Sequence, residues 1–293
     1  MLDGEQAHVL VRPDGVRIAY RRTAAGRRRG KAPALLLHGL ASNMTRWSEF
    51  VERSTLAEER DVIRVDLRGH GDSPTRGRVS LELWQDDLLA LLDAVGASRA
   101  LLIGHSLGAQ VALACASRAP ERVAALALID PVFRPALHGR WKWLARAAPL
   151  FVAAAAIVRA LNALGLRRRS LPPLDLRALD ELARASLGSP QAEAEFIRRY
   201  SSTRADLRSF RTAHYLQELV EMFRPLAPTE SIAVPTLVLL STGATFADLA
   251  SMRTEAARLP HGDLRTIDCH HWPLTERPDE VRRLIEVWCT AQL

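Results

Sequence analysis

The sequence predicts an α/β fold: a mostly parallel β-sheet flanked by helices, with an inserted helical lid. Short apolar runs alternate with helical patterns up to residue 130, and the same order returns after residue 235. Strands that alternate with helices are typical of a parallel sheet covered on both faces. The intervening stretch, rich in Ala, Leu and Arg, has a helical pattern only. We therefore divide the chain into a core, residues 1–130 and 231–293, and a lid, residues 131–230.

The predicted elements follow one another in a regular order. Alternating apolar and polar residues on both sides of Arg12-Pro13-Asp14-Gly15 predict a β-hairpin. Apolar-rich runs predict further strands at residues 34–37, 62–66, 100–103, 123–130, 235–240 and 264–267. Apolar residues at helical spacing predict helices at residues 81–95, 109–117, 248–259 and 278–288.

The segment Gly104-His105-Ser106-Leu107-Gly108 lies between a predicted strand and a predicted helix. This context is that of a nucleophile elbow, a sharp turn that lifts the hydroxyl of its central serine above the carboxyl edge of the sheet. Small residues two positions before and after the serine let neighbouring chains approach. The amide of Leu107, at the start of the helix, can point at a developing oxyanion. The pattern therefore predicts that Ser106 is a catalytic nucleophile.

With these residues the chain resembles the α/β-hydrolase superfamily over about residues 8–130 and 232–290. The matching pieces are the His38-Gly39 loop, the segment from Asp66 to Ser73, the Ser106 elbow, and a late histidine followed by Trp272-Pro273-Leu274. The resemblance implies a catalytic triad of serine, histidine and an acid. It also implies an oxyanion hole formed by the amides of Leu40 and Leu107. The superfamily hosts many reactions, so the fold alone does not give the substrate.

The serine at position 106 narrows the reaction class. In this superfamily, dehalogenases and epoxide hydrolases use an aspartate as nucleophile, so the resemblance favours transfer of an acyl group to water. A carboxylic ester is the leading substrate, with a thioester, a lactone or a C–C bond as alternatives on the same triad. A non-catalytic ligand-binding protein on the hydrolase scaffold also stays open.

Two adjacent histidines follow the last predicted strand and compete for the role of general base. Relatives usually have Gly-His at this loop, which favours His271 and places His270 where glycine normally stands. The choice between them depends on hydrogen-bond geometry.

The position of the triad's acid differs from the one that is usual in the superfamily. The acid should accept the N–H of the base and fix its tautomer. In most relatives it follows the strand predicted here at residues 235–240, but the loop 241–247 contains no carboxylate. Asp130, at the end of an earlier strand as in haloalkane dehalogenases, is the favoured candidate. Asp248, which has the position of a helix N-cap, is the alternative.

Composition limits the cofactors and partners. The 293 residues carry a formal net charge of +7 and three widely spaced cysteines. No C-x-x-C motif is present, so we predict neither a zinc site nor a disulfide framework, and we expect no metal and no cofactor. The basic charge favours anionic partners, but no nucleic-acid module accompanies it, so we expect no nucleic acid.

The amino terminus lacks the regions of a signal peptide, which leads us to expect a cytoplasmic protein.

The lid has an uneven charge pattern. No carboxylate occurs between residues 131 and 174, whereas arginines recur throughout this stretch. Residues 150–158 are wholly apolar, but they are too few for a membrane span of ~20 residues. One interpretation is a lid helix packed on the sheet with solvated arginines. The other is an interfacial element that makes peripheral contact with an anionic membrane. A variant is that the arginines steer an anionic substrate.

Two further residues are expected to contact the substrate. Trp47 lies beside the expected oxyanion loop, and His105 immediately precedes the nucleophile. Because the lid is largely apolar, we expect a small-molecule substrate with an apolar acyl group.

Overall fold

A computed structural model of the chain describes residues 2, 4–26, 30–186, 189–243 and 247–293. The strands in this part of the chain are β1 (Glu5–Val11), β2 (Arg17–Thr23), β3 (Ala34–Leu37), β4 (Val62–Val65), β5 (Ala100–His105), β6 (Val123–Ile129), β7 (Thr236–Ser241) and β8 (Gly262–Ile267). They form one sheet in the spatial order β1-β2-β4-β3-β5-β6-β7-β8. β2 pairs antiparallel with β1 and β4, and all other pairs are parallel. The mostly parallel sheet that the sequence predicts is confirmed.

Helices flank this sheet and form the insertion between β6 and β7. In chain order they are α1 (Ser48–Arg53), α2 (Leu81–Ala94), α3 (Leu107–Arg118), α4 (Gly139–Arg146), α5 (Ala148–Ala163), α6 (Leu176–Ser186), α7 (Pro190–Tyr200), α8 (Thr203–Ser209), α9 (Thr212–Met222), α10 (Leu249–Ala256), α11 (Pro273–Glu276) and α12 (Pro278–Gln292). The insertion comprises α4 to α9. Predicted and observed helices differ by a few residues at their ends, where the hydrogen bonds that define a helix run out.

The central strands are apolar because the sheet is buried on both faces. Successive side chains of a strand point to opposite faces. In β3, Leu35 and Leu37 join a core with α2 and α3, whereas Ala34 and Leu36 join a second core with α1 and α12. Because β3 to β8 run parallel, their carboxyl ends meet at one edge of the sheet, and loops at such an edge commonly carry the active site.

The insertion contacts the core through charged pairs, and its own helices also pack on one another. Asp180 of α6 pairs with Arg46, and Glu218 of α9 pairs with His70. α5 packs along α9, with Ala155 buried on its inner side. Among the residues that the structure describes, no helix is long and apolar enough to cross a membrane.

Candidate active site

Ser106 lies at the turn between β5 and α3, with a left-handed φ of 52°. The glycines on either side of it are required by the packing. A Cβ on Gly108 would collide with the carbonyl oxygen of Leu37, and one on Gly104 would collide with the backbone of Gly108. The tight turn therefore presents Ser106 at the carboxyl edge of the sheet.

Three side chains from three strand ends meet at this edge. Ser106 follows β5, Asp130 follows β6, and His271 lies in the loop after β8. Ser106 Oγ is 2.9 Å from Nε2 of His271, and Nδ1 of His271 contacts Oδ2 of Asp130. All three residues are buried. In this arrangement the imidazole can donate its Nδ1–H to the carboxylate and direct the lone pair of Nε2 at the serine hydroxyl.

The carboxylate of Asp130 is held by a second partner. The backbone N–H and the hydroxyl of Ser241, at the end of β7, donate to its two oxygens at 3.0 and 2.7 Å. Burial favours the neutral acid, but the contacts with His271 and Ser241 outweigh it and hold the pKa of Asp130 below its ordinary value. The carboxylate therefore stays charged and can stabilise a protonated imidazole.

The competing candidates lie elsewhere. Asp248 caps α10 from an exposed position, where its carboxylate accepts from the backbone N–H and the hydroxyl of Ser251 at 2.8 and 2.7 Å. His270 contacts Glu276, with 3.0 Å between Nδ1 and Oε2. Residues 244–246, in the loop that lacks a carboxylate, lie outside the described residues. The structure thus brings Asp130 and His271 to Ser106, and neither Asp248 nor His270.

The expected oxyanion donors belong to backbone that adjoins the serine. Leu107 is the first residue of α3, and amides of a first helical turn have no partner within the helix. Leu40 follows Gly39, whose backbone packs so closely on the elbow that an added Cβ would lie 3.4 Å from Cβ of Ser106. An oxyanion hole requires two such donors near the nucleophile.

His105 links the elbow to the loop of the base. Its Nε2 lies 2.9 Å from the carbonyl oxygen of His271. Burial, reinforced by the nearby His271, lowers the pKa of His105 to about 3, so its ring is neutral. A neutral ring bonded to a carbonyl carries its proton on Nε2. His105 also lines the cavity described next, and its contact with a substrate stays a prediction.

A cavity of about 490 Å³ extends from Ser106 and His271 into the insertion. Much of its lining is apolar and comes from α4, α5, α9 and the segments between them, including Trp141, Phe151, Phe210, Leu219 and Met222. This volume lies within the range of small-molecule sites, about 300–1,000 Å³.

Trp47 does not line this cavity, which corrects the expectation that it contacts the substrate. It is fully buried in the core on the side of α1, where its ring packs edge-to-face on Phe50 at 5.6 Å. The residue lies close to the expected oxyanion loop in sequence, but the short helical turn that carries it directs the indole inward. Sequence proximity did not reveal that direction.

Glu218 is a residue of this site that the sequence interpretation missed. It is fully buried on α9, where its carboxylate accepts the backbone N–H of Ala41 at 3.1 Å and lies 3.1 Å from Nε2 of His70. Burial opposes charge on both groups, yet their attraction outweighs it, so the pKa of His70 is raised and that of Glu218 is lowered. One signal was present: Glu218 shares a helix face with Tyr215 and Met222, where a buried side chain is expected.

Arg46 lines the cavity, but its charge is already neutralised. The guanidinium contacts Asp180 and donates to the hydroxyl of Thr275 at 2.7 Å, while the hydroxyl of Tyr200 donates to the same carboxylate at 2.8 Å. These bonds tie α6 and α7 to the core beside the histidine loop. Asp206 also lines the cavity, and burial raises its pKa to about 7.

None of the three cysteines lines the cavity at Ser106. Cys115, Cys269 and Cys289 are free and buried, and burial raises the pKa of each thiol. Within the described ranges, no group of three or more His, Cys, Asp or Glu side chains is arranged to hold a metal ion.

Comparisons with known proteins give a match to one family model and partial matches to individual relatives. A family model described as the alpha/beta hydrolase fold matches residues 33–278. Over 101 residues the chain is 42% identical to the dihydrolipoyllysine-residue acetyltransferase component of the acetoin cleaving system of Pseudomonas putida, which covers 34% of this chain and 27% of that protein. Lipase LipV of Mycobacterium tuberculosis is 34% identical over 102 residues, 35% of this chain and 38% of that protein.

Among solved structures, a bacterial membrane phospholipase A is similar at 26% identity and a TM-score of 0.68, with 98% of this chain and 86% of that chain covered. The chain spans only about a third of the length of the curated relatives it matches. The similarity to the solved structure extends over nearly all of this chain.

Proposed function

Because the chain belongs to the α/β-hydrolase family, we propose that it is a serine hydrolase that cleaves carboxylic esters with an apolar acyl group. The observation that carries the proposal is the 2.9 Å contact between Ser106 Oγ and His271 Nε2 at the end of a cavity lined largely by apolar side chains. A serine hydroxyl needs an adjacent base to attack a carbonyl at neutral pH, and this contact supplies one.

In the first half-reaction Ser106 Oγ attacks the carbonyl carbon of the ester. Its proton passes to Nε2 of His271, and the π electrons of the carbonyl move onto oxygen to give a tetrahedral oxyanion. The amides of Leu40 and Leu107 donate hydrogen bonds to this oxyanion. Asp130 stabilises the imidazolium. The bond to the leaving oxygen then breaks, that oxygen takes the proton from His271, and an alcohol leaves.

In the second half-reaction water attacks the carbonyl of the acyl-serine. His271 accepts a proton from the water, and a second oxyanion forms in the same hole. When it collapses, the bond between the acyl carbon and Ser106 Oγ breaks. The serine oxygen regains its proton from His271, and a carboxylic acid is released.

The lining of the cavity supports an apolar acyl group. Phe151, Leu219 and Met222 offer apolar surface to a chain, and each buried methylene contributes about 0.8 kcal/mol. Arg46 is neutralised by Asp180, so it does not serve as an isolated cation for a charged substrate. The names of two similar proteins, a lipase and a phospholipase A, also support ester hydrolysis.

The test is active-site labelling with a fluorophosphonate probe, which phosphonylates an activated serine. We expect the wild type to be labelled at Ser106, and Ser106→Ala and His271→Ala to lose labelling. Ser42→Ala is the matched control, because Ser42 is a buried serine in the same cavity and has no role in the proposal. Peptide mapping by mass spectrometry gives the labelled position.

A panel of p-nitrophenyl esters then measures the acyl preference. We expect kcat/KM to rise from acetyl to medium-length acyl groups and to vanish in Ser106→Ala. A folded wild type that is neither labelled nor active on any ester would contradict the proposal, as would a phosphonyl adduct at another serine.

A further inference from the structure

The fully exposed residues of α5 are all apolar, and its only polar residues, Arg159 and Asn162, are half-buried. The largest of the exposed residues are Leu150, Val152, Ile157 and Leu161, and Leu150 and Ile157 are 72% and 61% exposed. We call this surface the outer face of α5. A helix at a protein surface normally turns a polar face to water. Extended exposed apolar surface marks a site of interaction with another molecule or a membrane.

Further large exposed apolar side chains lie just before and just after α5 in the chain. Trp143 of α4 is 70% exposed, and Leu164 and Leu166, after α5, are 79% and 69% exposed. The guanidinium of Arg146 lies over the ring of Trp143, 5.3 Å from its centroid. A ring with apolar and polar edges next to a cation is typical of side chains at a membrane interface.

The segment that carries the outer face of α5 has charges of one sign. No carboxylate occurs between residues 131 and 174, so the first acid after Asp130 is Asp175. Lys142 and Arg146 stand exposed before α5, and the run Arg167-Arg168-Arg169 stands exposed after it. Arginine presents a planar fork of donors that fits phosphate oxygens. Apolar surface with basic residues at both ends matches the chemistry of an anionic lipid surface.

We propose that the outer face of α5, with the basic residues that flank it, docks on an anionic lipid bilayer. The apolar side chains would enter the boundary between headgroups and acyl chains, while the arginines meet the phosphates. A second copy of the chain is a poorer occupant. Two copies that meet through α5 would bring basic flanks together and gain no carboxylate partner from this segment.

The same helices also reach the catalytic cavity from their inner side. Trp141 of α4 and Phe151 of α5 line the cavity that also contains Ser106. The helix that carries the outer face of α5 therefore also forms part of the cavity wall. If the proposed ester hydrolysis is correct, the bilayer is where an amphiphilic ester would enter. Docking itself does not depend on that hydrolysis, so its test uses binding alone.

The test is co-sedimentation of the full chain with vesicles at low salt, in phosphatidylcholine alone and in phosphatidylcholine mixed with phosphatidylglycerol. We expect binding to the mixed vesicles only, weakened by added salt because the basic residues act through charge. The triple variant Leu150→Gln/Ile157→Gln/Leu161→Gln should bind at least tenfold less. The matched control Leu182→Gln/Val287→Gln removes exposed apolar residues from α6 and α12 and should bind as the wild type does.

A second pair of variants tests the charge. Arg167→Gln/Arg169→Gln should weaken binding to the mixed vesicles roughly thirtyfold, since each basic residue near an anionic surface contributes about 1 kcal/mol. Arg17→Gln/Arg253→Gln removes two exposed arginines elsewhere and should have no effect.

Three results would overturn the proposal. The first is absence of binding to the mixed vesicles by a folded wild type. The second is equal binding to both kinds of vesicle. The third is a wild-type dimer in analytical ultracentrifugation that the triple variant abolishes while vesicles fail to bind, which would assign this surface to a second copy. Loss of fluorophosphonate labelling in the same samples would concern the proposed hydrolysis and not the docking.

Discussion

In most proteins charged side chains are exposed and large apolar side chains are buried. The carboxyl edge of the sheet departs from this pattern by burying charged groups, and the outer face of α5 departs from it by exposing apolar ones. At the edge, charged groups are buried: Asp130 accepts two hydrogen bonds from Ser241, and Glu218 accepts the amide of Ala41. On α5, large apolar side chains such as Ile157 stand in solvent. Charged groups are rarely buried without partners, and large apolar patches are rarely exposed.

The two regions differ in whether the protein itself supplies the partners that such groups need. At the edge, each buried carboxylate has donors supplied by the protein itself, so the arrangement is complete in the isolated molecule. On α5 the described chain leaves Leu150 and Ile157 largely uncovered. The first region is therefore organised for chemistry inside the molecule, and the second for contact with a surface outside it.

The largest expected effect belongs to the edge. Asp130→Asn keeps the shape of the side chain but removes the charge that contacts Nδ1 of His271, so the proposed mechanism predicts that kcat on a good ester falls about 10⁴-fold. Asp248→Asn makes the same change at the exposed cap of α10 and should leave kcat unaltered. Steady-state kinetics on both variants show which aspartate serves as the acid. A small effect of Asp130→Asn would show that another group serves as the acid.

A smaller effect is expected where the insertion meets the edge. Glu218→Gln removes one charge of the buried pair with His70 and should lower the free energy of unfolding by about 3 kcal/mol near pH 6. Glu195→Gln, in an exposed pair with Arg198 on α7, should change it by less than about 0.5 kcal/mol. Urea denaturation gives both values.

The loss in Glu218→Gln should also depend on pH. The pKa of His70 is raised above 6.5 in the folded chain, so its contribution is complete below pH 6.5 and is lost as the pH rises through the raised pKa. The pKa of Glu218 is lowered below 4.5, so its contribution is complete above pH 4.5 and is lost as the pH falls through the lowered pKa. The deficit should therefore be greatest between these limits. A deficit that is constant up to pH 10 would argue against a charged pair.

The smallest effect belongs to the outer face of α5. In solution Ile157→Gln should change the free energy of unfolding by no more than about 0.5 kcal/mol, because most of the side chain is exposed to solvent. Ala155→Gln, on the buried side of the same helix, should cost about 1–3 kcal/mol through overpacking. Thermal unfolding of both variants compares the two sides. A clear destabilisation by Ile157→Gln would mean that the outer face contributes to the fold itself.

Much of the core could be predicted because its physical signals are local. A strand buried on both faces reads as a continuous apolar run, as in Ala34–Leu37. The elbow needs small residues at fixed distances from Ser106, so its spacing is visible in the chain. Both signals depend on neighbours in sequence.

The rest of the site depends on contacts between distant residues. Only the geometry of the structure distinguishes Asp130 from Asp248 as the candidate acid, because the residues of the Asp130–His271 contact are 141 positions apart in the chain. Glu218 joins Ala41 across 177 positions, and no local pattern gives that pairing. The direction of Trp47 was likewise set by the packing of α1 against the sheet.

The left-handed backbone at the carboxyl edge of the sheet has a consequence for how this protein adapts to heat. In the described chain, the non-glycine residues with positive φ are Ala41, Ser106 and Asp130, at 47°, 52° and 47°. Each such conformation costs of order 1–3 kcal/mol, against a typical total stability of about 5–15 kcal/mol. A lineage that moves to higher temperature while keeping its activity must therefore gain stability elsewhere, in the sheet core or at the surface. A lineage that loses the activity can relax these three positions and become more thermostable by doing so.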